Sequence, residues 1–195
     1  MATISKAKKV TSDTNICQGD VFKDIRYAYI DSEDNDTVQI VEFVFPMAII
    51  ISQACDVNSM GEMVLERSGK ATKFMPSILM CPVYDVGMAK QTNHLNEAFD
   101  ELKIIKEDGK KEVLFNSNEF NLAKNDWHYR YHALTIDIAD KRVLDNALID
   151  FKHYFTVPAT YLIDKREDRL FHIEDLYAEQ ITLKFSTYLS RVAIP

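Results

Sequence analysis

The chain has 195 residues and carries 23 Lys and Arg against 30 Asp and Glu, a formal charge of −7. That field repels nucleic-acid backbones and anionic membranes at long range, and it suits a basic protein partner. Hydrophobic residues make up 47%, enough for a sizeable core, yet no run approaches the roughly 18 apolar residues of a membrane span.

Residues 1–15 are polar, with Lys6, Lys8 and Lys9 and no apolar centre of a secretory signal. A flexible N-terminal arm and a cytoplasmic location are expected, with residues 16–195 forming a single globular domain. Cys17, Cys55 and Cys81 form no C-x-x-C pair, so reduced thiols are expected and a structural zinc site is not.

Ile16–Phe22 reads as a first strand, and Ile25–Ile30 continues it with Tyr27 and Tyr29. The acidic run Asp31–Asp36 reads as a solvated hairpin loop. It lacks the Gly and the distant Glu of a helix–loop–helix calcium site. Val38–Phe45, rich in β-branched and aromatic residues, should be a strand that Pro46 breaks or bends. Met47–Ile51 is an unbroken apolar run, expected to be a core strand buried on both faces. It delivers Ser52, Gln53, Cys55 and Asp56 to the edge of the core. Residues 58–73 read as a long loop or an irregular hairpin, and Ile78–Val83 as a short strand with Pro82 near an edge or end.

Leu95, Ala98, Phe99, Leu102 and Ile105 fall at helical spacing, which predicts a helix inserted at about 92–106. Glu112–Leu122 fits no single period. Trp127–Leu134 is read as a strand with Trp127, Tyr129, Tyr131 and Ala133 on one face and His128, Arg130 and His132 on the other. Thr135–Ile138 can continue that strand, Ala147–Phe151 and Phe155–Val157 are short late strands, and Pro158 opens a short helix. The clearest helix is a long amphipathic one at about 173–192. Tyr177, Ile181, Phe185, Tyr188 and Val192 form its stripe, and Leu176 and Leu189 widen it. This helix is expected to pack on the sheet or on a second copy of the chain, so a homodimer is open.

Gly19-Asp20-Val21-Phe22, then Pro46 with the apolar strand to Ser52, then Ile78–Val83, is similar to the MazF/PemK toxin family. The resemblance covers roughly residues 16–90. It implies an SH3-like β-barrel, and with it a dimeric, metal-independent endoribonuclease paired with an antitoxin. The family places Arg directly before the Pro; this chain has Phe45 there. Ser52 matches the family's Ser. The Ser52-Gln53-Ala54-Cys55-Asp56 pattern and the ending Tyr188–Pro195 also resemble small bacterial proteins of mobile elements and phage-defence loci.

The expected fold class is therefore α+β, a mostly antiparallel SH3-like barrel with an inserted helix and a long C-terminal helix. Three functions fit. Metal-free RNA cleavage needs a base, an acid and a cation. His128, His132 and Arg130 supply those types, with Ser52 and Asp56 as further candidates. A cysteine nucleophile would be Cys55. A partner-binding module of a bacterial defence or toxin–antitoxin-type system would use Gln53, Trp127, Tyr129 and Tyr131 as contacts. That last function is the leading expectation, with a protein partner first and RNA second. No cofactor is expected. No metal is expected either, because Tyr129 stands where a helical zinc-protease motif needs Glu.

Overall fold

A computed structural model describes residues 4–11, 15–34, 37–57, 75–86 and 117–191. Strands dominate: β1 (Ile4–Lys8), β2 (Asp20–Asp34), β3 (Thr37–Ile50), β4 (Ser77–Asp85), β5 (Tyr131–Ile138), β6 (Lys141–Asp150), β7 (Phe155–Pro158) and β8 (Arg169–Ile173). The helices are α1 (Ser117–Lys124), α2 (Ala159–Asp164) and α3 (Asp175–Leu189). The expected inserted helix at 92–106 lies outside the described residues, as does the segment 58–73. Among the described residues no helix is long and apolar enough to cross a membrane.

The strands form one mixed sheet in the order β3-β2-β8-β1-β5-β6-β4-β7, and a further β3–β4 pairing joins its first strand to its seventh. Among the described residues every pairing is antiparallel except β1 with β5. The fold is thus α+β and mostly antiparallel, as expected.

β3 explains the centre. Ile49 and Ile51 lie in the cluster that α3 covers with Ala178, Ile181 and Phe185. Ala48 and Ile50 face the opposite cluster with Phe45, Met80, Tyr84 and Phe155. β2 flanks this segment on one side and β4 on the other. The run Met47–Ile51 is therefore a core strand buried on both faces, and only Met47 is partly exposed. Tyr177, Ile181, Phe185 and Tyr188 seat α3 on the sheet, whereas Leu176 and Leu189, expected to widen that stripe, are exposed. Val192 lies outside the described residues.

Pro46 does not break β3. Lys23 pairs with Met47 and Ile25 with Phe45, so Asp24 and Pro46 stand opposite one another. Asp24 takes φ +52 there, an irregularity that accommodates a residue without an N–H. Pro82 is buried in an inner strand, pairing with Ala48. On its other side β4 pairs with β7 through Met80 and with β6 from Val83, so Pro82 falls between those two ladders.

Residues 4–8 are not a loose arm. They form β1, with Ser5 and Ala7 turned inward between β8 and β5. Gly19 sets the entry to β2 at φ +85, where a Cβ would meet Ala178 Cβ at 2.8 Å and the Ile173 carbonyl at 3.1 Å. Gly19→Ala is expected to lose about 2–4 kcal/mol, combining left-handed strain with overpacking. Urea denaturation of the two chains checks this.

Candidate functional site

The sheet brings a second polar constellation to the junction of β5, β6 and the 3-10 turn Phe151–His153. Asp150 ends β6 and is fully buried. Arg130 grips it with two bonds, Nε to Oδ1 at 2.8 Å and a terminal nitrogen to Oδ2 at 2.6 Å. His153 Nδ1 lies 2.8 Å from Oδ2, and the Lys152 amide donates to Oδ1 at 3.0 Å. Burial alone would raise the Asp150 pKa. The hydrogen bonds from Arg130 and His153 outweigh it and hold the carboxyl well below the usual range. The Asp150 carboxylate orients the His153 ring through Nδ1.

Trp127–Arg130 is a bend rather than the expected strand, because α1 ends there in a left-handed cap. The Trp127 amide donates to the Leu122 carbonyl at 2.8 Å and the Asp126 amide to that of Ala123 at 3.0 Å, with Asp126 at φ +64. This is the Schellman arrangement, in which Gly is usual. Here the Asp side chain has a use: it accepts from the Ala133 amide at 2.9 Å and from Lys184 Nζ on α3. The strand starts only at Tyr131, whose ring is buried against Val86 and Ala123. Tyr131 therefore cannot serve as a surface contact.

The bend decides what each predicted residue can do. Trp127 is 76% exposed and Tyr129 53% exposed. Arg191 lies over the Tyr129 ring at 3.6 Å from its centroid. His128 stacks on Tyr129 at 4.6 Å between centroids, and its Nδ1 accepts from the Arg130 amide at 3.1 Å. Burial lowers its pKa. His132 Nδ1 sits 3.2 Å from Asp126 Oδ1 without hydrogen-bond alignment. Burial lowers its pKa to about 4 despite the opposing pull of Asp126, so the imidazole is neutral at pH 7. Three expected members of one strand face are therefore split between a stacked ring, a buried ion pair and a neutral core imidazole.

Ser52, Gln53, Cys55 and Asp56 belong to a different place, the exit of β3. Ser52 Oγ accepts from the Leu79 amide at 2.8 Å, tying that exit to β4. The Gln53 carbonyl accepts from the Asp56 and Val57 amides at 3.1 Å, which makes a helical turn over 54–57. Cys55 is exposed, its thiol 3.8 Å from Gln53 Oε1 and 3.7 Å from Asp56 Oδ1. Gln18 locks this turn by accepting from the Ala54 amide and donating to Thr182 on α3.

Compared with protein-family models, with curated proteins and with solved structures, the chain finds no match. Two participants escaped the sequence reading, Asp150 and His153. The usable signal was an acid closing the apolar run Ala147-Leu148-Ile149, with an imidazole three residues on. Among the described residues no group of three or more His, Cys, Asp and Glu is placed to hold a metal ion.

Proposed function

We propose that this chain is a partner-binding module, with Trp127 and Tyr129 as its anchors. One observation carries the reading: two large aromatic rings stand exposed on a bend held rigid by the α1 cap and by the contact of Lys184 with Asp126. Exposed aromatics on a fixed scaffold are the residues that dominate binding energies at protein interfaces. Tyr154, also exposed, packs edge-on against Phe185 of α3. The resemblance noted in the sequence places such a module in a bacterial defence or toxin–antitoxin-type system. The same resemblance, together with the β3–β4 pairing, supports reading the run β2-β3-β4-β6-β5 as an SH3-like barrel.

The test is capture of partners by the intact tagged chain from the cells that make it, beside the Trp127→Ala/Tyr129→Ala double variant. Both rings are exposed, so the variant keeps its melting temperature. Binding is expected to fall at least about 30-fold, the equivalent of roughly 2 kcal/mol for a hot spot. Undiminished capture by the folded variant defeats the reading.

A metal-independent endoribonuclease is the second reading, favoured by the His153–Asp150 pair beside Arg130. A carboxylate-oriented imidazole is a general base suited to a 2′-hydroxyl. Cleavage of a labelled RNA pool in EDTA by the wild-type chain, abolished by His153→Ala, is its expected result. No cleavage by the wild-type chain ends it.

A further inference from the structure

The β2–β3 hairpin runs far past the rest of the sheet. Among the described residues, β2 pairs with β8 only through Asp20–Phe22, and β3 pairs with β4 only through Met47–Ile50. Over Ile25–Asp34 and Thr37–Phe45 the pairing among the described residues is that of the two strands with each other. At 3.3 Å per residue this ribbon is roughly 30 Å long. Its base is secured: Tyr27 packs on Phe155 at 5.3 Å between centroids, and the Arg26 amide donates to the Tyr161 hydroxyl at 2.9 Å. Lys165 Nζ also donates to the Asp24 carbonyl. These contacts cap the outer edge of β2 near the body.

Among the described residues nothing covers the ribbon's opposite face. Ile30 and Ile40 pair across the strands and are 61% and 67% exposed. Val38 and Val44 are exposed as well. Between them the Arg26–Glu42 ion pair lies in solvent. An isolated two-stranded ribbon is marginal in water, and an apolar free edge is one that natural proteins normally blunt or cover. Charge selects what can cover this one. The sequence 25–45 holds five carboxylates against one guanidinium, a net −4 of the chain's −7. A second copy of the ribbon and a nucleic-acid backbone both meet like charge there.

We infer that the outer β2–β3 ribbon is a docking arm for an extended, lysine- or arginine-bearing segment of a partner protein, added as a strand along β3. The guest strand prolongs the row that β4 begins beside Met47–Ile50. Its apolar side chains cover Val38, Ile40 and Val44, and its cations meet Glu42 and the acidic tip. The inference stands on elements other than those carrying Trp127 and Tyr129.

The experiment uses the full chain and a short synthetic peptide of alternating lysine and valine, with the glutamate–valine analogue as control. The lysine peptide is expected to bind, to slow amide exchange at alternate positions of residues 38–44, and to weaken with added salt. Ile40→Lys is expected to reduce its affinity about tenfold or more, through lost apolar burial and added repulsion. Val44→Lys, on the same exposed face, does the same, so a folding defect in one variant does not decide the outcome. Trp127→Ala leaves peptide binding unchanged, which separates this arm from the aromatic face. Three outcomes overturn the inference. They are equal binding of the glutamate analogue, unchanged affinity in both lysine variants, and self-association of the wild-type chain that Ile40→Lys abolishes.

Discussion

Replacing Asp150 by asparagine is expected to lower stability by about 3–5 kcal/mol, the usual result of removing one partner from a buried ion pair. For a chain of this size that is a drop in melting temperature of roughly 10 °C or more. The cause is desolvation. Arg130 has a side chain only 13% exposed, and its charge is held there by Asp150. Asparagine keeps the shape but leaves the guanidinium buried without a counter-charge. A double variant, Asp150→Asn with Arg130→Gln, removes the stranded charge and is expected to recover part of the loss. The same pair fixes the acid limb of stability. A carboxyl whose folded pKa is depressed contributes above its unfolded pKa, about 3.9, and loses that contribution as the pH falls towards the folded value. Wild-type stability should therefore drop below about pH 4, and the variant should lack that limb. Thermal unfolding followed across pH 2–7 measures both effects. An Asp150→Asn chain as stable as the wild type would mean that the guanidinium finds solvent or another partner.

The same residues explain what the sequence could show. Strands whose inward positions are apolar were legible, as in Met47–Ile51 and Ile78–Val83, because burial and pattern agree there. α3 was legible because Ile181 and Phe185 repeat at helical spacing against the sheet. Two strands escaped because each turns a small or polar residue inward and leaves an apolar one outside. β1 turns Ser5 and Ala7 inward while Ile4 and the lysines face out. β8 buries Arg169 beside Phe171 and Ile173. The period of two is blurred in both, by Ser5 inside and Ile4 outside in β1 and by Arg169 inside and Leu170 outside in β8. Trp127–Arg130 failed differently. Its alternation matches a strand, but a helix end at Lys124 and the left-handed Asp126 turn it into a bend. Local capping outweighed a pattern only a few residues long. The candidate site was half legible. Arg130 and the aromatic anchors were named from the sequence, whereas Asp150 and His153 depend on a tertiary junction that no local spacing reveals.

Asp20→Ala is expected to cost as much as the change at Asp150, because Asp20 is a second buried carboxylate with an Arg and a His on it. Arg169 donates to Oδ2 at 2.8 Å with both side chains 1% exposed. The Cys17 amide donates to the same oxygen at 2.8 Å, and His172 Nδ1 lies 2.9 Å from Oδ1. Arg169 reaches on to the carbonyls of Asn15 and Thr11. One carboxylate thus holds together the entry to β2, strand β8 and the chain that follows β1. Alanine leaves Arg169 charged and buried, so about 3–5 kcal/mol is the expected loss. The exchange of amide hydrogens in β1 and β8 should rise with it, since the tie between these strands and β2 is cut. The histidine gives the pH signature. The hydrogen bond to Asp20 raises the His172 pKa against the opposing effect of burial, and Asp175 adds to the rise through Nε2 at 3.3 Å. A raised folded pKa gives stability that is full below the unfolded value of about 6.5 and is lost as the pH climbs through the folded one. Comparing the wild type with His172→Gln isolates this contribution. The gap in unfolding free energy should be widest at about pH 6 and should close as the pH rises past the folded value. A gap that stays constant with pH would mean that His172 acts by packing alone.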